Sequence, residues 1–198
     1  MIAVWKSGAC KRVRIQKPAG WGLRSGQSIA VDGICSTVIA HTRRHFDVEY
    51  MGETLSKTTA DVFTKGTLLN LERSLSLSSL VDGHLIQGHV DATARVALLE
   101  IKENFRLVTL RIGDAQKRYV ALHGSIAING VSLTVARVRG ASVSIALIPH
   151  TLDQTNLDLL KQGDAVNVEV DMIARYLVAL SHSGRVRPNA AKRVRKKS

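Results

Sequence analysis

Two short polar pairs, Cys35/Thr37 and Ser132/Thr134, follow an Asx-Gly dipeptide at the same spacing, Asp32-Gly33 in one case and Asn129-Gly130 in the other. Residues two apart on a strand share a face, so each pair sets a small polar group beside a threonine hydroxyl. Thr54 and Thr151 follow at matching distances. Small hydroxyls and backbone groups at a barrel mouth suit a planar, hydrogen-bond-rich heterocycle bearing a polyol chain. Taken singly, Thr37 and Thr134 are equally well explained as strand formers. Cys35 fits a small buried hydrophobe as well as a reactive thiol. His84 and His89 lie five residues apart, and a lone histidine is more often a surface or core residue than a ligand.

Other chemistries have no foothold. The chain has no phosphate-cradling glycine loop, no zinc-ligand spacing and no Gly-x-Ser-x-Gly elbow. Its two cysteines, Cys10 and Cys35, offer neither a disulfide framework nor a metal pair. No cofactor and no metal are expected.

The elements that must position these residues come from a duplication. Ser28-Ile-Ala-Val-Asp-Gly-Ile-Cys-Ser-Thr-Val38 lies over Ser125-Ile-Ala-Ile-Asn-Gly-Val-Ser-Leu-Thr-Val135 at an offset of 97. The same offset lays Glu53-Thr-Leu-Ser-Lys-Thr58 over His150-Thr-Leu-Asp-Gln-Thr155, and Lys65-Gly-Thr-Leu-Leu-Asn-Leu-Glu72 over Gln162-Gly-Asp-Ala-Val-Asn-Val-Glu169. Three ungapped blocks establish a tandem repeat.

Each copy reads as mostly β. The Asx-Gly pairs are hairpin turns, and Phe46–Met51 and Val143–Ile148 read as the strands that follow. Thr54–Thr58 and Thr151–Thr155 suit single helical turns with threonine as a cap. Leu69–Arg73 and Val166–Val170 alternate at period two, as half-buried strands do. About six strands per copy predicts an all-β fold of two six-stranded antiparallel Greek-key barrels, since closure removes exposed edges. Ile173, Tyr176, Leu177 and Leu180 then fall on one face of a C-terminal helix, which needs a partner. The expected units are a first barrel over 1–84, a second over 85–171, the helix over 172–183 and a basic, disordered tail over 184–198. Gly88–Ala97 reads as the first strand of copy two. Its counterpart falls before residue 1, so copy one is expected to lack its first strand: the start lies upstream, the gap is filled otherwise, or the barrel has decayed.

Composition adds little against this. The 28 Lys+Arg against 16 Asp+Glu give a net charge of +12, but seven of the basic residues lie in 185–198. Without them 21 basic residues face 16 acidic ones. That pattern fits a solvated tail better than a nucleic-acid surface. No run approaches the ~20 apolar residues of a membrane span, and the N-terminus is too short for a signal core. A cytoplasmic protein without nucleic-acid or membrane partners is the expectation.

The two hairpins, together with Leu69-Asn-Leu-Glu-Arg-Ser74, Gly83-His-Leu-Ile-Gln-Gly-His-Val-Asp91 and Leu147-Ile-Pro-His-Thr-Leu152, resemble the paired lumazine-binding repeats of the riboflavin synthase family, alpha-chain type. The resemblance spans roughly residues 14–180. It implies a cofactor-independent dismutation of two 6,7-dimethyl-8-ribityllumazine molecules into riboflavin and 5-amino-6-ribitylaminouracil, in a homotrimer, with lumazine synthase as a further partner. A non-catalytic lumazine- or flavin-binding protein is the alternative. Carried over by position, the first pocket uses Ser28, Cys35, Ser36 and Thr37 with Glu49, Tyr50, Met51, Gly52, Glu53 and Thr54. The second uses Gly88, His89 and Val90, then His123, Ser132, Leu133 and Thr134, then Leu147, Ile148, Pro149, His150, Thr151 and Leu152. The resemblance implies that Cys35 and His89 transfer protons or activate water, assisted by Ser132 and Asp171.

Overall fold

In the computed structural model, which describes residues 1–182, the two Asx-Gly turns are where the fold is pinned. Asp32 and Gly33 have φ of 46° and 74°, and Asn129 and Gly130 have 46° and 80°. Positive φ at both central residues is what a two-residue primed turn requires, and Asx-Gly supplies it at least cost. Each turn joins a short strand to a long one: β3 (Ser28–Val31) to β4 (Ile34–His41), and β9 (Ser125–Ile128) to β10 (Val131–Arg139).

Around these hairpins both repeats build the same sheet. Repeat 1 adds β1 (Ala3–Ser7), β2 (Cys10–Gln16), β5 (His45–Tyr50) and β6 (Leu71–Arg73), in the antiparallel order β1-β2-β5-β4-β3-β6. Repeat 2 adds β7 (Ala92–Ile101), β8 (Arg106–Arg111), β11 (Ser142–Leu147) and β12 (Ala165–Val170). Its strands run in the equivalent order, and β7 also pairs with β12 to close a barrel. Even the register break recurs, between Val38 and Ala40 and between Val135 and Arg137. The fold is therefore all-β with two six-stranded antiparallel sheets, one of them closed. The cores correspond by position: Val13, Ile29, Val31, Val38 and Val48 in repeat 1, and Val108, Ile126, Ile128, Val135 and Ile145 in repeat 2.

The helical turns are α1 (Gly52–Lys57) and α3 (Pro149–Gln154), each running into a 3₁₀ turn over Thr59–Val62 or Asn156–Leu159. Thr54 and Thr151 lie inside the helices. The capping threonines are Thr58 and Thr155, whose hydroxyls accept from Ala60 N and Leu157 N at the start of the 3₁₀ turns. A one-turn helix α2 (Asp114–Lys117) leads toward β9, and α4 (Met172–His182) ends the described chain. The tail expected over 184–198 lies outside the described residues. No helix among the described residues is long and apolar enough to cross a membrane.

The expected loss of the first strand needs correction. Ala3–Ser7 forms a strand that pairs with β2 from Ala3↔Arg14 to Ser7↔Cys10. A fixed offset of 97 could not find it, because the β2–β3 connection, residues 17–27, is two residues shorter than residues 112–124 between β8 and β9, so β1 and β2 match repeat 2 at an offset of 95. Nor does the first strand of repeat 2 start at Gly88; its ladder begins at Ala92. What repeat 1 lacks is pairing between β1 and β6. Met1 alone bridges the seam, its amino group donating to Thr67 O at 2.9 Å. Repeat 2 makes the equivalent bond from Val96 N to Asp164 O.

The two turns press directly on each other. A Cβ on Gly33 would sit 2.5 Å from Gly130 N, and one on Gly130 would sit 2.8 Å from Gly33 N. Around this contact the polar groups cross between repeats. Asn70 N donates to Asp32 Oδ1, and Asn167 N to Asn129 Oδ1. The side-chain amides then swap sides: Asn70 Nδ2 donates to Asn129 O, and Asn167 Nδ2 to Asp32 O. Thr59 N donates to Asn167 Oδ1, and Asn156 N to Asn70 Oδ1. A buried amide satisfied at both ends fixes geometry, because leaving either end unmade costs its desolvation.

Asp32 is the one charge in this network. Burial pushes its carboxyl up to about 7, against the hydrogen bonds from Asn70 and Asn156. The fold therefore binds the Asp32 proton more tightly than the unfolded chain does. Its contribution is complete below pH about 4 and is lost as pH rises through about 7. Asp32→Asn, which copies the Asn129 of the other repeat, is expected to flatten the stability–pH curve between those limits, as read by urea unfolding at a series of pH values.

Candidate functional site

The strand registers place equivalent residues in one row across each sheet. In repeat 1, Glu72 of β6 lies opposite Ala30 of β3, which lies opposite Cys35 of β4. In repeat 2 the row is Glu169, Ala127 and Ser132. The rows carry the same pattern of carboxylate, methyl and small nucleophile, but the segment joining the repeats covers only the second. Gln87 N and Gly88 N donate to the two oxygens of Glu169 at 2.8 and 2.9 Å. His84 meets Ser132 twice, through its backbone N at 3.3 Å and through Nδ1 at 2.7 Å from Oγ.

This connecting strap is also tied to repeat 1. Cys35 N donates to Gly88 O at 2.8 Å. A Cβ on Gly88 would lie within 2.9 Å of Cys35 N, Cα and Cβ, and its φ is +77°, so only glycine fits there. Between strap and hairpins lies a cleft of about 510 Å³. Ser28, Cys35, Gly88 and Ser132 line it, together with Glu72 and His84.

The electrostatics favour a neutral histidine beside Ser132. Burial pulls the His84 imidazole below its ordinary 6.5, opposed by the nearby Asp171 and Glu169 carboxylates. In the neutral ring Nδ1 can accept the Ser132 hydroxyl proton while Ser132 Oγ accepts from His84 N–H. His84 Nε2 is buried and has no hydrogen-bond partner among the described residues. The pair has the elements of a general base and its hydroxyl.

The remaining predicted residues lie outside the cleft lining. Thr37 faces outward on β4 opposite Ser28, and Cys35 is exposed. Ser36 and Tyr50 turn inward, with Ser36 Oγ donating to Ile34 O and lying 3.0 Å from Tyr50 Oη. Glu49 pairs with Arg12 at 3.5 Å. Met51, Gly52 and Glu53 are exposed at the start of α1, with Thr54 half-buried beside them. In repeat 2, Leu133 and Leu147 belong to the core. Thr134 faces outward opposite Ser125. Ile148, Pro149 and His150 are exposed, and Thr151 and Leu152 half-buried. His89 is exposed next to Gly88, outside the cleft lining, and Val90 packs on the repeat 1 core. His123 is held at φ +62°, in the left-handed region, by its N–H to Val135 O. Asp171 Oδ1 accepts from Ile173 N at the head of α4. No group of three or more His, Cys, Asp or Glu among the described residues could hold a metal ion.

Glu72 and Glu169 are not among the expected site residues, and His84 stands there only as a lone histidine, weak as a ligand. The strand alternation and the 97-residue offset flag both glutamates, but only the strap distinguishes them.

Comparison with known proteins names the architecture. The profile described as "Lumazine binding domain" matches residues 2–74 and 87–171, one match per repeat. The chain belongs to the lumazine-binding domain family. Curated relatives are the riboflavin synthases of Bacillus subtilis (strain 168), 40% identical over 157 residues, and Brucella abortus (strain 2308), 38% over 161. Each alignment covers 79% of this chain, and 73% and 80% of the respective relative. Among solved structures, LumP complexed with riboflavin superposes with a TM-score of 0.79 at 23% identity, over 85% of this chain and 92% of that one. LumP complexed with 6,7-dimethyl-8-(1'-D-ribityl) lumazine gives 0.77. The lumazine-binding fold here thus comprises a closed second repeat and an open first one.

Two measurements follow from this geometry. Glu169→Ala strips the acceptor from two strap amides and is expected to cost about 3 kcal/mol in urea unfolding. NMR titration of the His84 ring is expected to give a midpoint below 6.5.

Proposed function

We propose that this chain is a riboflavin synthase, transferring a four-carbon unit between two 6,7-dimethyl-8-ribityllumazine molecules to give riboflavin and 5-amino-6-ribitylaminouracil. The observation that carries the reading is the doubling of one polar row, ending in Cys35 in one repeat and Ser132 in the other. A reaction between two copies of one substrate needs two related pockets with different chemistry. Relatives named riboflavin synthase, aligned across both repeats, support it.

The lumazine supplies much of the reactivity itself. Its 7-methyl protons are acidic because the carbanion is delocalised into the ring. The protein has to align two rings and move protons, for which proximity contributes several kcal/mol. The first pocket is assigned to Ser28, Cys35 and Thr37 with the Glu49–Thr54 stretch. The second is assigned to Gly88–Val90, His123, Ser132 and Thr134 with Leu147–Leu152. In the second, His84 holds Ser132 ready to give up or receive a proton, and Asp171 opposes the desolvation of that ring. The exposed Ile173, Tyr176 and Leu177 of α4 support assembly into a trimer that brings pockets from two subunits together.

A second reading, a non-catalytic lumazine or flavin carrier, is favoured by the likeness to LumP complexed with riboflavin and with the lumazine. Incubation of the purified chain with the lumazine decides between them by the absorbance of riboflavin. Turnover is expected, falling at least about tenfold in Ser132→Ala, as for loss of a proton-transfer group. Its rate is expected to drop toward acid pH as His84 takes a proton, since the protonated ring can no longer accept from Ser132. Saturable lumazine binding without riboflavin formation would establish the carrier instead.

A further inference from the structure

The strap that brings His84 to Ser132 leaves the sheet of repeat 2 at Asp91. From Ala92 onward the chain is paired with β12, beginning at Ala92↔Val168, and Asp91 N donates to Val168 O at 2.9 Å. Between Asp91 and His84 the strap is held at intervals and not along a ladder. Gln87 N and Gly88 N bond Glu169, and Cys35 N bonds Gly88 O. The direction in which the strap leaves the sheet is therefore set at Asp91. One oxygen of that carboxylate, Oδ2, accepts from Val170 N at 2.9 Å and from Arg175 Nη2 at 3.0 Å.

Arg175 lies in the first turn of α4, a helix with little hold on its own chain. No α4 residue belongs to either core cluster, and Ile173, Tyr176, Leu177 and Leu180 are exposed. The helix is tied at its N-terminal end, where Asp171 Oδ1 accepts from Ile173 N, and by the Arg175–Asp91 pair. That pair is partly exposed, 35% at the Arg175 side chain and 18% at that of Asp91. Ion pairs open to solvent contribute little to global stability, so what this one supplies is geometry. Arg175 Nε is buried and has no hydrogen-bond partner among the described residues, which leaves the Asp91 oxygen as the bond that fixes the guanidinium.

We propose that Arg175 is a positioning residue for the His84–Ser132 pair: by holding Asp91 at the root of the strap, it fixes the segment that carries His84 and makes the placement of that ring depend on α4. The catalytic consequence rests on the riboflavin synthase reading, whereas the structural one rests on strap geometry alone. Arg175 does not line the cleft, so it acts through the strap and not on the substrate. A displacement of about 1 Å at a proton-transfer group is enough to slow a reaction on the order of a hundredfold. Substrate contacts elsewhere in the cleft stay as they are. The signature is thus a change in kcat with little change in KM.

Arg175→Met, which keeps the apolar stem and removes the charge, tests it on the full chain beside Arg175→Lys. Amide hydrogen exchange reads the strap directly. Gln87 and Gly88 are expected to exchange at least about tenfold faster in Arg175→Met, with Ile126 and Ile128 of the core unchanged. In the lumazine assay kcat is expected to fall about tenfold at constant KM. Arg175→Lys keeps a donor for Asp91 and is expected to restore both readouts. Adding Arg175→Met to Asp91→Asn is expected to change nothing further, since both act at one bond. Unchanged exchange at Gln87 and Gly88 would overturn the proposal, whether or not the chain turns over lumazine. Faster exchange in a chain that makes no riboflavin would keep the positioning role and remove the synthase reading. An equal rise at Ile126, or altered sedimentation of Arg175→Met, would overturn the proposal too, because the residue would then serve stability or assembly.

Discussion

At the hairpin tips backbone meets backbone, and Gly33 and Gly130 leave no room for a Cβ on either side. That contact sets the distance between the repeats, and the crossed amides of Asn70 and Asn167 set their rotation. Everything that spans the two sheets is referenced to it. The strap can bond Cys35 on one hairpin and Ser132 on the other only because the hairpins are held tip to tip. Hydrophobic burial stabilises each sheet separately, in two core clusters, whereas the polar network at the tips orients one against the other.

The duplication also explains how one sequence pattern yields two chemical environments. Glu72 and Glu169 share a row position, as do Cys35 and Ser132. In repeat 2 the strap withdraws the carboxylate from solvent and gives the hydroxyl a histidine. In repeat 1 the same positions face the cleft, with a thiol in place of the hydroxyl. The difference lies in what covers the row, since the strands beneath have the same order and register.

Much of this was legible from the residues, wherever the signal was local. The Asx-Gly turns, the alternating strands and the single helical turns each depend on a few neighbouring positions, and the offset of 97 tied them into two sheets. The short strand β1 escaped because the connection from β2 to β3 is two residues shorter than its counterpart, which moves β1 and β2 out of the repeat's register. The pairings of His84 and Glu169 escaped for another reason: their partners lie 48 and more than 80 residues away. Val166–Val170 looked like a half-buried strand because valine alternates with Asn and Glu. The structure buries all five, since Asn167 and Glu169 spend their polar atoms on the turn and the strap. Polar residues read as solvent-facing until their partners are known.

The tip-to-tip turns carry an implication for how such a protein changes over generations. Duplicated halves normally drift apart freely, each accepting its own substitutions. Here the hairpin tips occupy one shared volume, so a side chain gained on either would collide with the backbone of the other. Neither copy can escape the pairing alone. Divergence is pushed outward, to the strap and the row beneath it, and those are the places where the two halves have come to differ.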